Sequence, residues 1–395
     1  MFDCIVIGKG LIGSAAAKYL KKTLEHVAII GPDEPHHNLE KAQVFASHYD
    51  QSRVQRIIGV DPVWTQLNKQ SVVHYPKLEK ESGISFHSHE GCLYVSPYGK
   101  DSEGKNVPDQ AHQFRVPYQF FENEGYIHKA FQDYTFPAGS FGMLEPAPAG
   151  HINPLQLIKA QLKVFQNNGG KIYNDTVVEL THRRNSVFRV NTDTGQTLSA
   201  KKVLVTAGAF TNFFGLLPHP LDMELESETV LLAEVGEDEA KRLSHLPSLL
   251  YELDTEAVEG IYLVQPVVYP NGKYYLKMGC NLSTDIPFQN LNQIQEWFRN
   301  GDSASNEKVL RDALHTIMPT LKAIDFTTKK CIVSRTKHGQ CYIGPTTQEH
   351  LYVAAGGNGY SAMCSDALGE IAAHFAKHND VPTDYSAKSF EPIFI

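Results

Sequence analysis

Chemistry is first legible in six residues close to the N-terminus, Gly8-Lys9-Gly10-Leu11-Ile12-Gly13. They follow an apolar run of strand length, FDCIVI at 2–7, and lead into SAAAKYLKKTL at 14–24, a good helix former. Strand, glycine turn and helix, in that order, is the context in which GxGxxG holds a dinucleotide pyrophosphate. Gly8 permits the tight turn and Gly10 lets backbone approach the phosphates. Gly13, with Ala15, Ala16 and Ala17, allows the helix to pack closely on the strand. The unpaired N–H groups of the new helix point at the anion. A second strand at 27–30 should end in an acid that holds the ribose, but Gly31 stands there and Asp33 comes two residues later. Either Asp33 reaches round or a backbone group serves. Further on, Arg53 and Arg56 in SHYDQSRVQR are three apart, which in a helical turn puts both on one side. An arginine fork suits a carboxylate.

The elements that must position these groups are spread over 395 residues, enough for a large core and two domains. Apolar content of 42% and charged content of 20% are ordinary for a globular protein. Net charge is −8 and the basic pairs, such as Arg183-Arg184 and Lys329-Lys330, are scattered, so nothing points to nucleic acid. No run approaches transmembrane length, and the apolar start lacks the basic flank of a signal peptide; a cytoplasmic protein with no membrane partner is expected. Six cysteines lie far apart with no CxxC, which argues against zinc and against a disulfide framework.

Helices are expected at 63–82, 153–168, 289–300, 306–318 and 361–377. Strand signals fall at 84–97, 171–173 and 176–180, and in a hairpin at 187–191 and 197–199. Further strands are read at 202–206, 331–334 and 351–355. The stretch from Glu224 to Gly279 is mostly strands, with a turn at Pro270-Asn271-Gly272-Lys273. The strand at 202–206 ends in Ala207-Gly208, small residues of the kind a closely approaching cofactor requires. Residues 35–46 and 98–109 read as polar and irregular.

Four separated motifs fall in one order: GKGLIG, SHYDQSRVQR, VLVTAGAF, and CIVSRT followed by YVAAGGNGYSAMCSDALGE. Together they resemble the D-amino-acid-oxidase superfamily of FAD enzymes, and within it the sarcosine-oxidase branch with its N-methyltryptophan and pipecolate oxidases. The resemblance covers nearly the whole chain. It implies an α/β fold: a Rossmann-type FAD-binding domain from 1–83, 151–215 and 326–395, and a mostly antiparallel α+β substrate domain from 84–150 and 216–325. It also implies residue roles. Ser52 and Arg53 would lie near the flavin ring, with Arg56 facing substrate. Val178 would meet adenine through its backbone. The turn Gly356-Gly357-Asn358-Gly359-Tyr360 and the helix from Ser361 would face the flavin pyrimidine, where a helix N-terminus stabilises negative charge. Lys277 would promote reaction with O2, with Tyr275 as its face-mate and Gly279 leaving room for the flavin. Cys331 would attach the flavin through sulfur.

Departures from the branch are informative. Its second carboxylate-binding cation is Met363 here, its substrate-side tyrosine is read as Leu263, its histidine after the oxygen lysine is Asn281, and its tyrosine after the attachment cysteine is Val333. The expected activity is oxidation of a primary or secondary amine or amino acid, by hydride transfer to flavin N5 and return of electrons to O2 as H2O2, with a substrate other than sarcosine. The alternatives are a dehydrogenase of an amine or hydroxy acid that passes electrons elsewhere, and a flavin-binding protein whose catalytic face has decayed.

Overall fold

The strand Phe2–Ile7 runs through the middle of the first of two large sheets. A computed structural model describes residues 1–35, 39–99, 102, 107–183 and 187–395. Arg184 and half of the polar loop at 98–109 lie outside these. Phe2–Ile7 pairs with Thr197–Val205 on one side and Val27–Ile30 on the other; Leu351–Ala355 and Lys171–Tyr173 lie beyond, all parallel. A parallel sheet is covered on both faces, so its strands are apolar throughout rather than alternating. Cys4 and Val6 accordingly pack among the helices, while Ile5 and Ile7 pack against Val177, Phe188 and Val190 of the ribbon on the opposite face.

The helix side is built from Leu11–Lys21, Pro62–Ser82, Pro154–Asn167 and Ser361–His378. Two of these starts are encoded locally. Asp61 accepts from Trp64 N at 3.0 Å with Pro62 in the first turn, and Asn153 accepts from Gln156 N at 3.0 Å ahead of Pro154. Three helices are tied at one buried point, Asp366, which accepts from Lys18, from Tyr19 Oη at 2.7 Å and from His74 Nδ1 at 3.0 Å. Burial alone would raise the Asp366 carboxyl, but Lys18, His74 and Tyr19 hold it below the usual carboxylate range.

The second sheet has nine strands among the described residues. Its pairs are antiparallel except for Cys92–Ser96 beside Ser248–Asp254. Two strands are longer than their sequence signals. Thr197–Val205 is one continuous strand where two pieces were expected; its first half pairs with Val187–Thr192 and the rest enters the parallel sheet. Ala323–Thr336 was visible only at 331–334, because its first half (TTKK) is polar. That half is held by pairing with Met223–Val235 rather than by burial. The pairing carries this strand with the second sheet as far as Thr336, past the domain boundary expected at 325–326. Conversely, only Cys92–Ser96 of the signals at 84–97 forms a strand.

Candidate active site

The glycine turn needs its glycines for steric reasons visible in the backbone. Gly8 has φ +111°, and a Cβ there would lie 2.3 Å from Thr206 O; one on Gly13 would lie 1.9 Å from Gly8 O. A Cβ on Gly10 would meet nothing closer than the His48 ring at 3.5 Å, because Gly10 opens on a cavity. Gly8, Leu11 and Ile12 share that wall, while Gly13 sits behind it. The following helix starts with no side-chain cap and no acid in its first turn. Its orphan N–H groups are therefore available to an anion.

Ala207, Gly208, Gly356, Gly357 and Ser361 complete the cavity from the ends of the neighbouring parallel strands. This is where open α/β sheets bind ligands. Two expected contacts shift. Asp33 is not on the wall: its carboxylate pairs with Lys9, which also donates to Asn174, and Gly31 and Pro32 line the cavity instead. Val178 is replaced there by Thr176 and Val177.

A second cavity adjoins the first, sharing Leu11, Ser47, His48, Ile332, Ser334, Gly357 and Ser361 as walls. His48 is neutral at this junction: burial, then Arg53 and Lys9, bring it down to about 3. Arg53 and Arg56 both line the second cavity, but not from a helical turn. Arg53–Gln55 is a short strand paired with Gly150–Ile152. The two guanidiniums have different surroundings. Arg53 donates to Asp50 Oδ2 at 2.6 Å and to the carbonyls of Ser47 and Ser52. Arg56 is 8% exposed, and among the described residues its guanidinium has no hydrogen bond or ion pair; its Nε is buried and unpartnered. Its backbone is fixed from below by Glu145, which accepts from Ile57 N at 2.6 Å and Ile58 N at 3.0 Å. Burial pushes the Glu145 carboxyl up to about 7, with those two N–H groups and Arg56 opposing.

Gly359, Tyr360, Asn358 and Met363 lie on the second cavity's wall, as do Cys331, Val333 and Asn281. Asn358 holds the turn in shape: with φ +51°, it accepts from Thr336 N at 2.8 Å and donates to Gly356 O at 2.9 Å. Burial, then Glu228, pushes the Cys331 thiol up to about 11, against Arg53 and Lys277.

Leu263 is not on the wall. It is fully buried in the core of the second sheet, and the tyrosine before it, Tyr262, faces the cavity. One residue's shift along a strand changes the face. Tyr262 Oη donates to Glu228 Oε1 at 2.5 Å, and Glu228 is the cross-strand partner of Cys331. The Tyr262 ring also occupies the space left by Gly279, where a Cβ would lie 2.3 Å from it. The room expected for a flavin at Gly279 therefore belongs to Tyr262.

Lys277 is fully buried, not on a solvated face, and it stands behind the wall rather than in it. Its Nζ is 2.7 Å from Asp50 Oδ2, 3.0 Å from Ser52 O and 5.2 Å from the Tyr262 ring centroid. Ser52 likewise lies behind the wall, its hydroxyl buried and without a hydrogen-bond partner among the described residues. Arg335 is a further cation on the second wall, 40% exposed and engaged with Glu226 and Asn281. Sequence reasoning missed His48, Glu145, Glu228, Tyr262 and Asp50. Only Asp50, three residues before Arg53, carried a local signal of pairing.

A glycine-turn cavity at the ends of parallel strands, continuous with a chamber lined by arginine, tyrosine and carboxylate, defines a dinucleotide-dependent enzyme with its substrate space beside the cofactor. A family model described as FAD dependent oxidoreductase (DAO) matches residues 3–375, and the chain belongs to that family. It is 25% identical to human (Homo sapiens) peroxisomal sarcosine oxidase over 236 residues, 58% of this chain and 55% of that one. It is 24% identical to the N-methyl-L-tryptophan oxidase of Yersinia pestis (strain Pestoides F) over 394 residues, 98% of both. The fold is shared with NikD, an unusual amino acid oxidase essential for nikkomycin biosynthesis, at a TM-score of 0.76 and 17% identity over 100% of this chain and 98% of that one. The residues present fit FAD: the bare Gly10, the uncapped helix and the small Ala207-Gly208 corner leave the space and donors that a dinucleotide needs. No helix among the described residues is long and apolar enough to cross a membrane.

Proposed function

We propose that the chain is an FAD-dependent oxidase of a primary or secondary amine or amino acid that returns electrons to O2 and releases H2O2. The observation that carries this is Arg56, a buried guanidinium without a partner among the described residues, on the wall of a chamber continuous with the dinucleotide cavity. A buried, unpaired cation is costly unless an anion completes it. A substrate carboxylate does so through a fork of charge-assisted hydrogen bonds. The relatives named for oxidation of N-methylated amino acids support the same class of substrate.

The residues of the dinucleotide cavity would hold FAD, which when bound would supply the hydride acceptor for the carbon next to nitrogen and the route of the electrons to oxygen. The chain's part is orientation and electrostatics. Arg56 fixes the carboxylate end of the substrate. The uncapped helix from Ser361, preceded by the Gly356–Tyr360 turn, offers its positive end to negative charge. Lys277, one layer behind the wall, supplies a fixed ammonium toward which oxygen can gain charge. Met363 stands on the wall without charge, so a carboxylate has one strong cation rather than two, and the chamber favours a bulkier, more apolar substrate than sarcosine.

Anaerobic bleaching of the holoprotein by a panel of amines, amino acids and hydroxy acids tests this. The expected result is rapid bleaching by an apolar amino acid or N-alkyl amino acid, with sarcosine far slower. Bleaching by hydroxy acids alone, or sarcosine as good as the best compound, overturns it.

Cys331 is the proposed point of covalent attachment, since it lies on the chamber wall below the shared rim. Acid precipitation of the holoprotein should leave a yellow pellet, and Cys331→Ser should release the flavin to the supernatant. A colourless pellet from the unaltered protein refutes attachment.

A further inference from the structure

Lys277 stands in a setting that should strip its proton. It has no exposure, and Arg53 repels its charge. A wholly buried ammonium keeps its charge only if an anion is held against it. That anion is Asp50, 3% exposed, and all of its acceptor capacity is used. Oδ1 accepts from Gln51 N at 2.8 Å and Tyr269 Oη at 2.6 Å; Oδ2 accepts from Arg53 Nη1 at 2.6 Å and faces Lys277 Nζ at 2.7 Å.

We propose that Asp50 is the positioning residue that keeps Lys277 charged and pinned behind the chamber wall, so that without Asp50 the lysine is neutral near pH 7. This rests on the role given to Lys277 above. The groups facing the pair from the packed elements are few. Arg53 comes from the same segment as Asp50; Tyr262, Glu228 and Cys331 come from the second sheet; Lys329 acts on Asp50 and donates to Tyr49 O. Glu228 opposes loss of the proton and Arg53 promotes it, but neither is within the ion-pair distance at which Asp50 stands. Burial, then Arg53, brings Lys277 down to about 8, and Asp50 is the largest force against them. With two cations sharing one carboxylate, removing that carboxylate leaves Arg53, which cannot deprotonate, and Lys277, which can.

The test uses holoprotein with its flavin reduced by dithionite, mixed with oxygen across the pH range, and the flavin midpoint potential followed against pH. In the unaltered protein both curves should bend near pH 8. In Asp50→Asn the bend should move at least about one pH unit lower, and reoxidation near neutrality should drop on the order of tenfold, recovering on acidification. Asp50→Glu should restore the original profile. A bend that stays in place in Asp50→Asn, or a loss equal at every pH, overturns the proposal, since a merely structural role would give the second. If Asp50→Asn does not hold FAD, Lys277→Met decides: the bend near pH 8 must vanish, and its persistence overturns the proposal. Failure of the oxidase reading is a separate outcome. Reduced protein that oxygen does not reoxidise refutes that reading, while the potential curves still report on Asp50.

Discussion

Lys277→Met should slow reoxidation of the reduced holoprotein by oxygen on the order of a hundredfold or more, as expected for loss of a preorganised charge partner. Anaerobic reduction by substrate should change by no more than a few-fold. The asymmetry follows from where charge develops. Oxygen becomes negative as it takes electrons, and a fixed ammonium in a site of low dielectric stabilises that charge as it forms. In the substrate half-reaction the carbon next to nitrogen becomes more positive, so the same ammonium gives no help. Lys277 satisfies the requirement of being fixed: it is fully buried and held by Asp50 and by Ser52 O. In its proposed role it would act from behind the wall that Arg53 and Tyr262 help to form. Stopped-flow measurement of the two half-reactions checks this. Equal losses in both, or none in reoxidation, would remove Lys277 from the oxygen reaction.

Arg56→Met should lower kcat/KM for a carboxylate-bearing substrate by roughly a hundredfold, the size expected when a desolvated charge-assisted pair loses one partner. Activity on the matching amine without a carboxylate should be nearly unchanged. Arg56→Lys should recover little, because a point charge does not reproduce the planar fork. The same substitution carries a second signature. Since Arg56 makes no ion pair among the described residues and its Nε is buried and unpaired, Arg56→Met should raise the melting temperature of substrate-free protein. Steady-state kinetics on an acid and amine pair, together with thermal unfolding, distinguishes a binding residue from a packing residue. Equal losses on both substrates with a lower melting temperature would mean that Arg56 supports the fold.

The sequence made the cofactor half of the site legible and left much of the substrate half hidden, for a physical reason. The turn from Gly8 to Gly13 is local: strand, glycines and helix lie within one stretch, and the missing side chains of Gly8 and Gly13 answer clashes within that unit or with the adjacent Thr206, while Gly10 opens on the cavity. The helices at Pro62–Ser82 and Pro154–Asn167 carry their own caps. The chamber is instead assembled from strands far apart in sequence, and its polar groups acquire meaning only from partners across the sheet. Glu228 alternates with Glu224 and Glu226 in a pattern of a solvated face, yet it sits opposite Cys331 and receives Tyr262. The Arg53–Arg56 spacing suits a helix, but pairing with Gly150–Ile152 draws that segment into a strand. Gly279 was expected to leave room for the flavin, but the Tyr262 ring fills that space. Tyr262 and Leu263 differ by one position, and register, which sequence alone does not fix, decides which of them faces the chamber.

The proposed oxidase activity is tested most directly by hydrogen peroxide. The holoprotein is reduced anaerobically by its best amine or amino acid substrate, oxygen is admitted with no other acceptor present, and peroxide is measured against substrate consumed. An oxidase of this design should yield one H2O2 for each substrate molecule oxidised, with the flavin colour restored at the same rate. Flavin that stays bleached in oxygen, and recovers its colour without peroxide only when a quinone or another electron acceptor is added, would contradict the assignment and make the protein a dehydrogenase.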